Sequence, residues 1–224
     1  MASAGTSPPP AADGPSALNA GLAALRIDAG EAQRAQLLAF IALLARWNLA
    51  YNLTAVRDPA EMVPRHLLDS LAVLPLVRRG PLLDVGTGPG LPGLPLAILR
   101  PELDFTLLDS NGKKIRFVRQ AVLELELGNV TPVQARMQAY RPQVNFATIT
   151  ARAVAPLAAL CAECAPLTAP GGVLLALKGR DPDAEVAGLA AAALPRVRMA
   201  AVSVHALQVP GLDAERSVIE VPFD

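Results

Sequence analysis

Histidine and cysteine each occur only twice in the 224 residues, tryptophan once, and aromatic residues make up 4% of the chain. His66 has no potential ligands around it at metal-binding spacing, which argues against a metal centre. Cys161 and Cys164 form a single CxxC inside an Ala- and Leu-rich stretch. A zinc or dithiol site needs a second pair or a thioredoxin-like setting, so these thiols are read as small core residues. An excess of charge is missing too, because 20 Lys plus Arg balance 20 Asp plus Glu. Any nucleic-acid contact must then come from local clustering of cations, since the bulk basic character of many nucleic-acid binders is absent. No apolar run reaches the roughly 20 residues that span a bilayer, and no membrane partner is expected. The Ser-, Pro-, Ala- and Gly-rich start, residues 1–16, has neither the basic cluster nor the apolar core of a signal peptide. It reads as a disordered tail with too little apolar surface to offset its ordering entropy. The expected compartment is the cytoplasm.

What is present is a long apolar chain, 52% hydrophobic, with two kinds of pattern. Residues 17–77 read as a helical extension. A short helix is predicted over Leu18–Ile27. A second, Glu31–Ala50, shows Leu37, Leu38, Ile41, Leu44 and Ala45 at helical spacing. Asp58 and Pro59 open a third as cap and first-turn proline, with Pro64 expected to kink it or start a new helix that runs to Leu76. From about residue 78 to 224, short apolar runs alternate with helices. Strands are predicted at Leu82–Val85, Phe105–Leu108, Val130–Val133, Phe146–Thr150 and Gly172–Leu177. Helices are predicted near Leu91–Leu99, Lys113–Leu127, Ala155–Leu167 and Asp183–Leu194. That alternation argues for a parallel sheet with helices on both faces. Arg198–Ala206 and Ser217–Val221 are β-rich with no room for a helix between them, so they should close the sheet as an antiparallel edge pair.

The chemistry centres on Leu82-Leu83-Asp84-Val85-Gly86-Thr87-Gly88-Pro89-Gly90. An apolar strand ends in an acid and runs into a Gly-x-Gly-x-Gly loop that a ligand can approach without meeting a Cβ. Asp109, at the end of the next strand and 19 residues beyond Gly90, is placed to accept hydrogen bonds from ribose hydroxyls. Gly88, Gly90 and Gly93 also satisfy the GxGxxG of NAD-binding proteins, so an NAD(P)-dependent oxidoreductase stands beside S-adenosylmethionine as a reading. Asp84, two residues before the first glycine, favours S-adenosylmethionine. So do Pro92 and Pro95, which crowd the helix start where a diphosphate needs free N–H groups. About seven mostly parallel strands with a closing antiparallel pair point the same way, to a Rossmann-like class I methyltransferase sheet carrying an N-terminal helical extension.

The segment DVGTGPGLPGLPLAILRPELDFTLLDSNGKKIRFVRQ (Asp84 to Gln120) resembles the glucose-inhibited division protein B family. Trp47-Asn48, Asn52-Leu53-Thr54 and Arg65-His66-Leu67-Leu68-Asp69-Ser70 resemble its N-terminal signature. Ala151-Arg152-Ala153, Leu177-Lys178-Gly179 and Leu207-Gln208-Val209-Pro210 through Glu215-Arg216 resemble later blocks. The likeness spans roughly residues 31–221, with departures at Ala147 and Ala151, where the family commonly has an acid and a serine. It implies methyl transfer from S-adenosylmethionine to guanine N7 in the decoding region of small-subunit (16S) ribosomal RNA, with that RNA or the 30S particle as partner. A Rossmann-like protein that binds RNA without turnover is the non-enzymatic alternative.

On this reading Asp84, Gly86, Thr87, Gly88, Gly90 and Leu91 hold the methionine and ribose end of the cofactor, with Asp109 on the ribose hydroxyls. Gln134, Ala135 and Arg136 lie beside the adenine. Arg152 and Lys178 end the fourth and fifth strands and should face the pocket, Arg152 touching the cofactor and orienting the guanine. Lys113, Lys114, Arg116, Arg65 and His66 complete an expected RNA surface with Lys178. Guanine N7 has a lone pair and no proton, so no acid or base is assigned.

Overall fold

The computed structural model describes residues 14–152, 154–179 and 181–224; the sequence expectations for residues 1–13 and for Ala153 lie outside these. Four residues, Leu82–Val85 (β1), are buried along their whole length, as a parallel strand covered on both faces requires. β2 (Phe105–Asp109) and β3 (Val130–Gln134) extend the sheet on one side. β4 (Phe146–Arg152) and β5 (Thr168–Lys178) extend it on the other, all parallel. β6 (Ser203–Leu207) and β7 (Arg216–Pro222) are antiparallel, and the seven strands lie in the order β3-β2-β1-β4-β5-β7-β6. The expected mostly parallel sheet with a closing antiparallel pair is therefore the fold, with β7 inserted between β5 and the edge strand β6.

Successive strand residues face opposite layers. Leu82, Leu107, Leu175 and Leu177 enter one apolar cluster under the N-terminal helices, α5 (Gly93–Leu99) and α6 (Gly112–Glu124). Leu83, Leu108, Leu174 and Ala176 enter a second, under α7 (Leu157–Cys164) and α8 (Pro182–Ala192). Cys161 and Cys164 sit in that second core; burial pushes the Cys161 thiol up to about 12 and that of Cys164 higher still, so neither is reactive.

The N-terminal helices depart from their predicted bounds. α1 spans Gly14–Ala24, so Gly14–Ser16, read as tail, are helical. α2 spans Glu31–Tyr51. Asp58 caps α3 (Pro59–Met62) by accepting from the Ala60 amide at 2.9 Å. Pro64 lies in the first turn of a distinct helical segment. Lacking an N–H, it cannot make the ordinary bond to the preceding turn, and the chain widens into a π-helical segment, Val63–Leu68, before α4 (Asp69–Leu71). The Asp69 amide reaches back to the Pro64 carbonyl across this wide turn.

Candidate active site

The sheet reverses its winding between β1 and β4, the place where open α/β sheets bind ligands. A cleft of about 600 Å³ opens there at the strands' carboxyl ends. Gly86, Thr87, Gly88, Leu91 and Asp109 line one wall, and Lys114 overhangs it. Arg152, Lys178 and Arg216 line the opposite wall; Arg65, His66 and Asp69 come in from the helical extension.

Asp84 does not line this cleft. It is fully buried under the loop, where Oδ2 accepts from Thr87 Oγ1 at 2.6 Å and the Gly93 amide at 3.0 Å, and Oδ1 from Thr150 Oγ1 at 2.9 Å. Its role is to hold the glycine loop against β4 and the start of α5. Burial pushes its carboxyl up to about 6, against the pull of those three donors. Thr150 carried no sequence signal, since a threonine in an apolar strand reads as ordinary core. Gly90 also lies behind the cleft wall, in the left-handed region at φ +85° and packed on Leu94.

The first turn of α5 has no amide free for a diphosphate. Gly93 N–H donates to Asp84, Leu94 N–H to the Gly90 carbonyl at 2.7 Å, Pro95 has none, and Leu96 N–H donates to the Pro92 carbonyl. This is the structural argument against NAD. Asp109 remains in the cleft wall: Oδ2 accepts from the Gly88 amide at 2.9 Å and Oδ1 from the Asn111 amide at 2.8 Å. The cap of α6 is Asn111, which accepts from the Lys113 and Lys114 amides. Each Asp109 oxygen thus keeps a lone pair for a ligand.

A second cavity of about 380 Å³ shares Gly86, Asp109 and Val154 with the main cleft, and Ala135 and Arg136 line it. Gln134 lies outside both cavities, packed over Gly112.

The predicted RNA residues divide. Arg65 and Lys114 reach the cleft, while Lys113 and Arg116 are exposed on α6 away from it. Lys178 Nζ is committed to the Ala155 carbonyl at 2.8 Å and Glu185 at 2.7 Å, tying β5 to the starts of α7 and α8. It reads as a structural ion pair, not a phosphate grip. His66 is buried, with Nδ1 on the Arg65 carbonyl at 3.0 Å and Nε2 on Thr54 Oγ1 at 2.9 Å. The carbonyl can only accept, so Nδ1 carries the proton and Nε2 accepts from the threonine. Desolvation lowers the His66 pKa. Its ring edge faces the cleft, but both nitrogens are taken.

Three polar cleft residues, Asp69, Arg216 and Ser217, were missed altogether as ligand candidates. Asp69, 5% exposed, accepts from Arg152 Nη1 at 3.2 Å and from Arg216 Nε at 2.8 Å. Ser217, beside Arg216, has a buried hydroxyl with no partner among the described residues. No three His, Cys, Asp or Glu side chains cluster to hold a metal among the described residues, and no helix there is long and apolar enough to cross a membrane.

Residues 33–218 match the family model GidB, rRNA small subunit methyltransferase G. The chain belongs to this family. A ribosomal RNA small subunit methyltransferase G from Methylococcus capsulatus is 52% identical over 204 residues, covering 91% of this chain and 96% of its own. One from Xanthomonas axonopodis pv. citri is 51% identical over 211 residues, covering 94% and 96%. Among solved structures, the O-methyltransferase from Bacillus cereus in complex with SAH is similar with a TM-score of 0.57, at 19% identity over 93% of this chain and 97% of its own. The glycopeptide N-methyltransferase MtfA complexed with S-adenosyl-L-homocysteine is similar with a TM-score of 0.56 and 15% identity, covering 70% of this chain and 90% of its own. At such identities these two speak for the fold.

The segments that resemble the family's N-terminal signature are joined by hydrogen bonds. Asn48 accepts from the Thr54 amide at 2.9 Å and donates to the Val56 carbonyl at 3.1 Å. Thr54 in turn bonds His66. The Asn, Thr and His of three separate sequence blocks therefore form one chain of bonds that seats the π-helical segment against the cleft.

Proposed function

We propose that this chain transfers the methyl group of S-adenosylmethionine to N7 of a guanine in the decoding region of small-subunit ribosomal RNA, presented in the cytoplasm as RNA or within the 30S particle. The observation that carries the reading is the loop residues 86–89 and Asp109 on one wall of the cleft, facing Arg152 on the other. The residues present suit the donor. Asp109 has free lone pairs for ribose hydroxyls, the adjoining cavity beside Ala135 and Arg136 suits the adenine, and the blocked amides of α5 disfavour a dinucleotide.

When bound, the sulfonium supplies a methyl electrophile, and displacement leaves its positive charge on the purine. The protein has no proton to move, because N7 bears none. Its task is placement, and placement alone contributes much of the barrier reduction in well-oriented reactions. Arg152 donates to acceptors of the target nucleotide, while Lys114 and Arg65 at the cleft mouth attract its phosphates.

Transfer of labelled methyl from S-adenosylmethionine to small-subunit RNA, located by mass mapping of nucleosides, tests the reading. Retention of RNA without incorporation would point to a pure binder, and calorimetric binding of NAD with no response to S-adenosylhomocysteine would replace the class. Asp109→Ala is expected to weaken S-adenosylhomocysteine binding by about 1.5 to 3 kcal/mol, the usual loss for a charged hydrogen-bond acceptor. Unchanged affinity would confine Asp109 to the loop bonds with Gly88 and Asn111.

A further inference from the structure

We infer that Asp69 is a positioning residue of the methyl-transfer site, acting through Arg152; this rests on the function proposed above. Its carboxylate is nearly inaccessible, yet both of its arginine partners keep cleft-facing surface, with side chains 26% exposed for Arg152 and 33% for Arg216. The three residues come from different parts of the fold: α4 after the π-helical segment, the end of β4 and the start of β7. Arg216 Nε holds one carboxylate oxygen and Arg152 Nη1 takes the other. A guanidinium has five N–H donors in a rigid plane. Tying one nitrogen of Arg152 to a buried, tethered carboxylate sets the direction of the others towards the cleft.

The arrangement also sets charge. Two arginines alone would place two positive charges beside a purine that becomes cationic on methylation. Asp69 reduces that to one. An ion pair serving stability alone has no need of this location, and a fully dry one carries a large desolvation cost. Here the carboxylate is buried and the donors stay wet, as substrate positioning requires.

Asp69→Asn keeps the shape but not the charge, and its amide can accept from only one arginine while opposing the other. We expect kcat for small-subunit RNA to fall about 100-fold, the scale of an ångström misplacement of a reacting group. KM and the Kd of S-adenosylhomocysteine should change by no more than about threefold, since neither the cofactor wall nor the cleft-mouth cations is touched. In an Arg152→Ala background the same substitution should have almost no further effect on kcat, because residues acting as one unit are not additive. Should Asp69→Asn fail to fold, as its Tm would reveal, Arg216→Gln serves instead. It removes the tether, and a kcat-selective loss that vanishes in the Arg152→Ala background is again expected. Multiplied losses in the double variants, or losses of kcat that follow cofactor affinity and Tm, would overturn the assignment and leave the function intact. Absence of RNA methylation by the wild-type chain would refute both.

Discussion

Gly93→Ala is expected to lower stability by about 3 kcal/mol, the upper part of the range for forcing extra volume into a packed core, and to abolish measurable cofactor binding. A Cβ at this position would collide with the Leu107 side chain and stand 2.8 Å from Asp84 Oδ2. Neither neighbour can retreat. Leu107 is fully buried in the central sheet, and Asp84 is held by Thr87 and Thr150 as well as by the Gly93 amide itself. The first turn of α5 must therefore lift away from β1, taking the glycine loop with it. Urea unfolding together with calorimetry of S-adenosylhomocysteine binding measures both effects. A loss of stability with normal cofactor affinity would show that the loop holds its shape without close packing of α5.

The second large effect is a dependence of stability on pH. The Asp84 carboxyl ionises near its ordinary value of 3.8 when the chain is unfolded and at about 6 when burial holds it in the native state. Between those values the native state binds more protons than the unfolded one, so stability falls as pH rises. The difference of about two pKa units corresponds to about 3 kcal/mol. Asp84→Asn removes this titration. Its carbonyl oxygen still serves Thr87 and the Gly93 amide, and its amino group can donate to Thr150, whose hydroxyl rotates to accept. Stability of the wild type relative to the variant should thus decline from about pH 4 to about pH 6 and level off above. A difference that rises over that interval would mean that the three donors outweigh burial and keep the carboxylate ionised.

Much of this protein was legible along the chain. The four-residue run Leu82–Val85, the glycine loop, Asp109 and the alternation of apolar segments located the strands, while the winding reversal between β1 and β4 came only from the structure. Such signals are local: periodicity, turn chemistry and the buried run of a parallel strand are written in neighbouring residues. Element ends were less legible, because fraying and caps depend on a few bonds. Asn111 caps α6, whose start was read near Lys113, and Gly14–Ser16 extend α1. Pro64 was visible, but whether the helix breaks or widens around it depends on what packs there, and the Asn48–Thr54–His66 bonds hold the widened turn in place.

The division of labour among charged residues was decided by tertiary structure alone. Arg152 and Lys178 end adjacent strands and looked equivalent, yet Lys178 finds Glu185 seven residues away, while Arg152 finds Asp69 across 83 positions. Asp84 and Asp109 likewise both lie at or next to the carboxyl ends of strands. One is sealed beneath the loop by Thr150, 66 residues on, and the other stays in the cleft wall. The sequence by itself determined the sheet, the loop and the identity of the charged side chains. Which carboxylate each cation meets depends on distances between strands and helices far apart in the chain. Ion-pair energies fall with distance in space and carry no imprint of spacing in sequence, so only the folded structure shows which charges remain available to the cleft.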